Sequence, residues 1–255
     1  MEGGCVSAGA ENRSGTETNA FDGELVVAID GPSGSGKTSV SRAVARRLGL
    51  AFLDTGAMYR ALTWYCLDSG LDLAAATAAA DEKLASDVVE AAVELPLIMG
   101  LDPEHETVEV DGQDITAVIR DPRISAAVSA VATNTAARAV LVERQRRLIE
   151  QTGRRVVAEG RDITTVVAPD ATARILLTAS PEARMGRRGH QLGGTQTDAD
   201  LHRQVVQRDA RDSTVVDFMT AAAGVTTVDS TELDFAQTVD AVIDVIRASK
   251  SNTAK

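Results

Sequence analysis

Short apolar runs alternate with longer stretches of helical periodicity from residue 24 to residue 248. Residues 24–30 (ELVVAID) form an apolar run closed by turn residues, which predicts a buried strand. Residues 38–48 then place Val40, Val44, Ala45 and Leu48 on one face and Arg42, Arg46 and Arg47 elsewhere, the pattern of an amphipathic helix. A second strand is expected at 51–53 and a helix from about 57 to 67. The Ala-rich, charged stretch 74–92 reads as a surface helix, and 94–99 and 107–110 as short strands, with Asp111-Gly112 as a turn before Ile115. Asp121-Pro122 breaks the chain, and 124–149 reads as helical. Strands of core type follow at 155–158 and 174–178. A basic helix at 181–188, a glycine-bearing loop at 189–197 and a polar helix at 198–212 come next. A strand at 225–228 and a helix at 235–248 close the pattern.

Short apolar strands separated by helices predict an α/β fold, a parallel central sheet with helices in the two flanking layers. The composition agrees: 44% of residues are hydrophobic but only 3% aromatic, so Ala, Val, Leu and Ile must fill the core. Residues 1–22 are rich in Gly, Ser, Thr, Asn and Glu and are expected to be a disordered extension, with a flexible tail at 249–255. The core is expected over 23–67 and 120–248, carrying a small mixed insertion at 68–119. A net charge of −11 argues against a general nucleic-acid binder, because an acidic surface repels phosphate backbones. No apolar run is long enough to span a membrane and no leader pattern opens the chain, so a reducing, cytoplasmic setting is expected. Cys5 and Cys66 have neither metal spacing nor a disulfide framework. His105, His190 and His202 read as surface residues, and Arg144, Arg146 and Arg147 as a charged helix face.

Gly31-Pro32-Ser33-Gly34-Ser35-Gly36-Lys37-Thr38 fits G-x-x-x-x-G-K-[ST] in full, between a predicted strand and a predicted helix. This is a P-loop, in which glycines let backbone N–H groups wrap a diphosphate and the helix N-terminus adds partial positive charge. Gly31, Ser33, Gly34, Ser35, Gly36, Lys37, Thr38 and Ser39 are therefore expected to bind ATP, with Lys37 on the β- and γ-phosphates and the Thr38 hydroxyl on Mg2+. The chain has no Asn-Lys-x-Asp guanine box, and its length and arginine supply favour a small-molecule kinase.

Three further segments narrow the acceptor. Phe52-Leu53-Asp54-Thr55-Gly56-Ala57-Met58-Tyr59-Arg60 resembles the acceptor-nucleotide segment of bacterial cytidylate kinases. Val157-Ala158-Glu159-Gly160-Arg161-Asp162 and Arg208-Asp209-Ala210-Arg211-Asp212-Ser213 are similar to two more motifs of that family, and the order matches from about residue 24 to 245. The resemblance implies a P-loop kinase fold with a nucleoside-monophosphate-binding insertion at 68–119 and a short lid at about 182–200. It implies ATP-dependent phosphorylation of CMP and dCMP with Mg2+, by a monomer serving pyrimidine metabolism. Carried onto this chain, it implies that Arg60 and Arg161 hold the acceptor phosphate. Ser129, Arg138 and Asp162 would read cytosine, whose amino donor needs an acceptor and whose carbonyl and ring nitrogen need donors. Thr55 and Tyr59 would line the acceptor pocket, Arg208 and Asp212 would approach the sugar, and Arg184 and Arg188 would close over ATP; Lys37, Arg161, Arg184 and Arg188 would be catalytic.

Each residue has a plainer reading when taken alone. Arg60 and Arg138 also fit solvated helix faces, Tyr59 fits core packing, Asp162 fits a helix cap and Asp54 fits loop support. Val215 stands where the family has an arginine, a loss worth about 3 kcal/mol in a desolvated phosphate site. Thr164 replaces an expected glycine and Ala168 an expected aromatic residue. These departures leave open UMP or another small acceptor, and a nucleotide-binding regulator without turnover.

Overall fold

The computed structural model describes residues 21–73, 82–191, 197 and 208–253. The chain opens with β1 (Leu25–Asp30), α1 (Lys37–Leu48), β2 (Ala51–Asp54) and α2 (Thr55–Asp68). The middle holds α3 (Glu82–Glu94), β3 (Leu97–Met99), β4 (Val108–Val110), β5 (Gln113–Asp114), α4 (Pro122–Ala132) and α5 (Thr135–Gln151). The last third contributes β6 (Arg155–Gly160), β7 (Ala173–Thr178), α6 (Pro181–Gln191), α7 (Arg208–Asp212), β8 (Thr226–Asp229) and α8 (Phe235–Thr253). Five parallel strands form the central sheet in the order β2-β6-β1-β7-β8, and β3-β4-β5 form a separate antiparallel sheet.

Strand β1 explains the layering. All six of its residues are buried. Leu25, Val27 and Ile29 pack with Val40, Val44, Val242 and Ile246, on the side of α1 and α8. Val26 and Ala28 face the other way, toward Met58, Val142 and Ile149 of α2 and α5. Side chains of a strand alternate between faces, so one apolar run supplies both interlayer cores. A third cluster joins Leu62 and Trp64 of α2 to Val88 of α3, Val108 and Val110 of β4, Ile124 of α4 and Leu141 of α5. The segment 68–119 thus shares a continuous core with the helices on either side of it.

Several boundaries differ from the sequence reading for local reasons. The helical stretch expected over 124–149 is two helices whose axes bend by 102°. The break comes at Thr133 and Asn134, where the Asn134 side chain accepts from the Ala137 N–H at 3.1 Å and caps α5. Helix α3 persists to Glu94, so the strand expected from 94 begins at Leu97. The carbonyls of Val93 and Leu95, at and just past its end, accept from the Arg144 guanidinium at 2.8 and 2.6 Å, and Arg146 caps Val166 and Val167 similarly. The charged helix face therefore serves partly as a set of carbonyl caps. Phe21, placed by sequence in the polar extension, is 2% exposed. At the other end α8 continues to Thr253, past the expected start of a flexible tail at 249. Lys250 donates to the Asp22 carbonyl at 2.8 Å and lies over the Phe21 ring, which ties residues 21–22 to α8. Cys5 and His202 and most of 192–207 lie outside the described residues. Among the described residues, no single helix is long and apolar enough to cross a membrane.

Candidate active site

The P-loop forms the turn between β1 and α1. Gly31 packs behind it so closely that a Cβ there would collide with the Leu177 carbonyl of β7. Gly34 has φ +77°, and a Cβ on it would lie 2.6 Å from the Arg184 carbonyl oxygen, so both conformation and space require glycine. The front of the turn, from Ser33 to Ser39, lines a cavity of about 510 Å³. Lys37 donates to the Pro32 carbonyl at 3.4 Å, and the Thr38 hydroxyl donates to Glu159 Oε1 at 2.7 Å.

The opposite wall draws on α2, α5, the end of β6 and α7. Thr55, Tyr59, Arg60, Arg138, Arg161, Asp162 and Asp212 all line the same cavity, so guanidinium groups from three separate elements converge opposite the P-loop. Each is already paired. Arg60 lies 3.0 Å from Asp54, Arg138 bonds Asp162, and Arg161 meets Asp209 at 2.8 Å and Asp212 at 3.1 Å. Arg138 lies over the Tyr59 ring and Arg161 over the Phe218 ring, 4.2 Å from its centroid. Among the described residues, seven cationic and five acidic ones line the cavity, a local positive excess in this acidic chain.

The remaining expected site residues are placed differently. Ser129 of α4 stays outside the lining and donates to Asp212 at 3.0 Å. Arg188 lines the cavity, and burial, with Arg60 and Arg120 nearby, lowers its pKa. Arg184 does not line it: the side chain is 4% exposed and packs behind the P-loop, bonded to Asp209 and to the Ser33 carbonyl at 3.0 Å. In this arrangement Arg184 is a buried prop beneath the turn rather than a side chain facing the cavity. The Arg208 side chain lies outside the described residues. Val215 is absent from the lining, where its neighbour Val216 appears. Ala168 is buried in the core beside α5.

Four acidic residues that the motif reading left without a binding or catalytic role organise this geometry. Asp54 caps α2 by accepting from Ala57 N–H at 2.8 Å while pairing with Arg60. Burial works to raise its pKa, but Arg60 and the Ala57 amide bring the carboxyl below its ordinary range. Glu159 stands beside it in register on β6, and burial and the Asp54 charge push its carboxyl up to about 7. Asp30 ends β1 and accepts from the amides of Ile163 and Thr164, each at 2.8 Å, and from the Thr164 hydroxyl at 2.6 Å. Those bonds fix the π turn Ile163–Val167 that follows Arg161 and Asp162, and the hydroxyl bond is one that glycine at 164 could not make. The fourth, Asp209, joins Arg161, Arg184 and the Ser33 amide. Asp54 was legible as a helix cap, and Glu159 as a strand-end carboxylate beside a P-loop.

Among the described residues, no group of three or more His, Cys, Asp or Glu side chains could hold a metal. The Thr38 hydroxyl with the Glu159 and Asp54 carboxyls is instead a hard-oxygen set of the kind that binds Mg2+ when substrate phosphates complete the shell. The residues present fit that ion.

The family model described as cytidylate kinase matches residues 27–248. A cytidylate kinase of Cutibacterium acnes is 47% identical over 222 residues, 87% of this chain and 96% of that protein. A cytidylate kinase of Nocardia farcinica is 46% identical over 88% of this chain and 92% of its own length. A bifunctional pantoate ligase/cytidylate kinase of a Synechococcus species is 45% identical over 87% of this chain, which corresponds to 43% of the longer protein.

Proposed function

Because the chain belongs to the cytidylate kinase family, we propose that it transfers the γ-phosphoryl group of ATP to CMP and dCMP, giving ADP and the diphosphates. The observation that carries this reading is the convergence of Arg60, Arg138 and Arg161 on the cavity that the P-loop lines.

The cradle from Ser33 to Ser39 holds the ATP phosphates, with Lys37 on the β- and γ-oxygens. Thr38, with Glu159 and Asp54 behind it, would hold Mg2+, which would supply positive charge against the phosphates. Arg60 and Arg161 take the phosphate of the acceptor. An oxygen of that phosphate attacks the γ-phosphorus in line, and the bond from γ-phosphorus to the β-bridging oxygen breaks, leaving ADP. The nucleophile is already ionised at neutral pH, so no protein base is required. Catalysis is then placement and charge neutralisation. Asp162 accepts from the cytosine amino group and Arg138 donates to its ring nitrogen or carbonyl; Thr55 and Tyr59 wall the acceptor pocket.

Release of ADP, measured with CMP, dCMP, UMP and AMP in turn, tests the proposal. Stimulation by CMP and dCMP well above UMP and AMP is the expected result. Stimulation by another acceptor alone, or ATP binding with no acceptor response, refutes it.

A further inference from the structure

Asp209 has no direct part in the chemistry above, yet its carboxylate sits where the donor cradle and the acceptor arginines meet. It is 5% exposed and is not among the cavity-lining residues. Oδ1 accepts from the Ser33 amide at 3.0 Å and from Arg161 Nη1 at 2.8 Å, while Oδ2 takes the Arg184 guanidinium. Three elements distant in sequence therefore share one carboxyl group: the P-loop, the residue after β6, and α6. Neutralising the buried Arg184 would need only the last of these contacts. The other two tie the loop that holds the donor to the guanidinium facing the acceptor. Asp212 and the Phe218 ring hold Arg161 from its other sides, so Asp209 supplies the link back to the cradle.

We infer that Asp209 is a positioning residue for phosphoryl transfer, fixing Arg161 relative to the P-loop; the inference rests on the proposed kinase activity. It acts through Arg161 and Ser33, since it lines no part of the cavity itself. In a reaction governed by alignment, a displacement of about 1 Å costs about a hundredfold in rate. The expected signature is a fall in kcat with little change in KM, because both nucleotides still find their pockets.

The test compares Asp209→Asn, Asp209→Glu and the unmutated chain, with folding followed by circular dichroism and steady-state kinetics in both substrates. Asp209→Asn is expected to melt earlier and, while folded, to lose about a hundredfold in kcat, with KM for ATP and CMP within about threefold. Asp209→Glu keeps the charge for Arg184 but shifts the carboxylate, and is expected to lose about tenfold in kcat with both KM values kept. If Asp209→Asn fails to fold, Asp209→Glu alone decides. Unmutated kcat in the folded Asn variant or in the Glu variant overturns the inference, as does a rise in KM with kcat intact. No CMP-dependent turnover in the unmutated chain would instead sink the kinase reading itself, and this inference with it.

Discussion

Asp30 ends the strand that feeds the P-loop, and its burial has a measurable cost. Removal from water is the dominant influence and pushes its carboxyl from 3.8 up to about 6, against the opposing pull of the Thr164 and Ile163 hydrogen bonds. Between those two pH values the folded protein holds a proton that the unfolded chain has released. Stability is therefore greatest below about pH 4, falls as pH rises toward 6, and is level above that as far as this group is concerned. At about 1.4 kcal/mol for each pH unit between the two values, the loss is about 3 kcal/mol. Asp30→Asn removes the titration while keeping one acceptor, so its unfolding free energy should lack this component. Urea denaturation of both proteins from pH 4 to pH 7.5 measures the difference between them, which cancels the other carboxyls. That difference should move against the unmutated protein by about 2.4 kcal/mol across the range, the remainder of the loss lying below pH 4. A difference constant to within about 0.5 kcal/mol would show that Asp30 titrates normally and that the account of its burial is wrong.

Lys37→Ala should reduce turnover by at least about a hundredfold while leaving the melting temperature nearly unchanged, since the ammonium faces the cavity; normal kcat would remove it from the chemistry. Asp162→Asn should lower the ratio of kcat/KM for CMP over UMP by about tenfold or more, the worth of a hydrogen bond to a charged group. An unaltered ratio in that variant would take Asp162 out of base recognition. Cys66, whose thiol burial pushes up to about 11, should resist alkylation in the native protein at pH 8 and react only after denaturation. Rapid native labelling at Cys66, located by peptide mass, would contradict its position in the core.

What the sequence disclosed, and what it withheld, divides along the range of the interactions. The apolar run at β1, the P-loop spacing and the helix that follows are local patterns, and each forms at or within a residue or two of the expected place. The bend between α4 and α5 was also locally encoded, in Asn134 ahead of Thr135-Ala136-Ala137, but continuous apolar periodicity masked the cap. Asp30 is different in kind. Its partners lie 133 and 134 residues away, and nothing beside it in sequence announces a hydrogen-bonding role. Asp209 meets Ser33 across 176 residues, and Arg144 reaches back about 50 residues to carbonyls of another helix end. Such contacts depend on the packed arrangement of several elements, and a residue's type gives the charge without the address. The same holds for Arg184, whose basic helix was legible but whose direction, under the P-loop rather than into the cavity, was not.

The meeting of Phe21 and Asp22 with Lys250 bears on how this protein can be handled. Helix α8 begins at the cavity rim with Phe235 and runs to Thr253, a rise of roughly 27 Å at about 1.5 Å per residue. Its far end therefore meets Phe21 and Asp22 well away from the cavity. A chain trimmed to these residues, with a short loop joining Phe21 to the end of α8 and new termini opened elsewhere on the surface, would give a circularly permuted enzyme whose pocket is untouched.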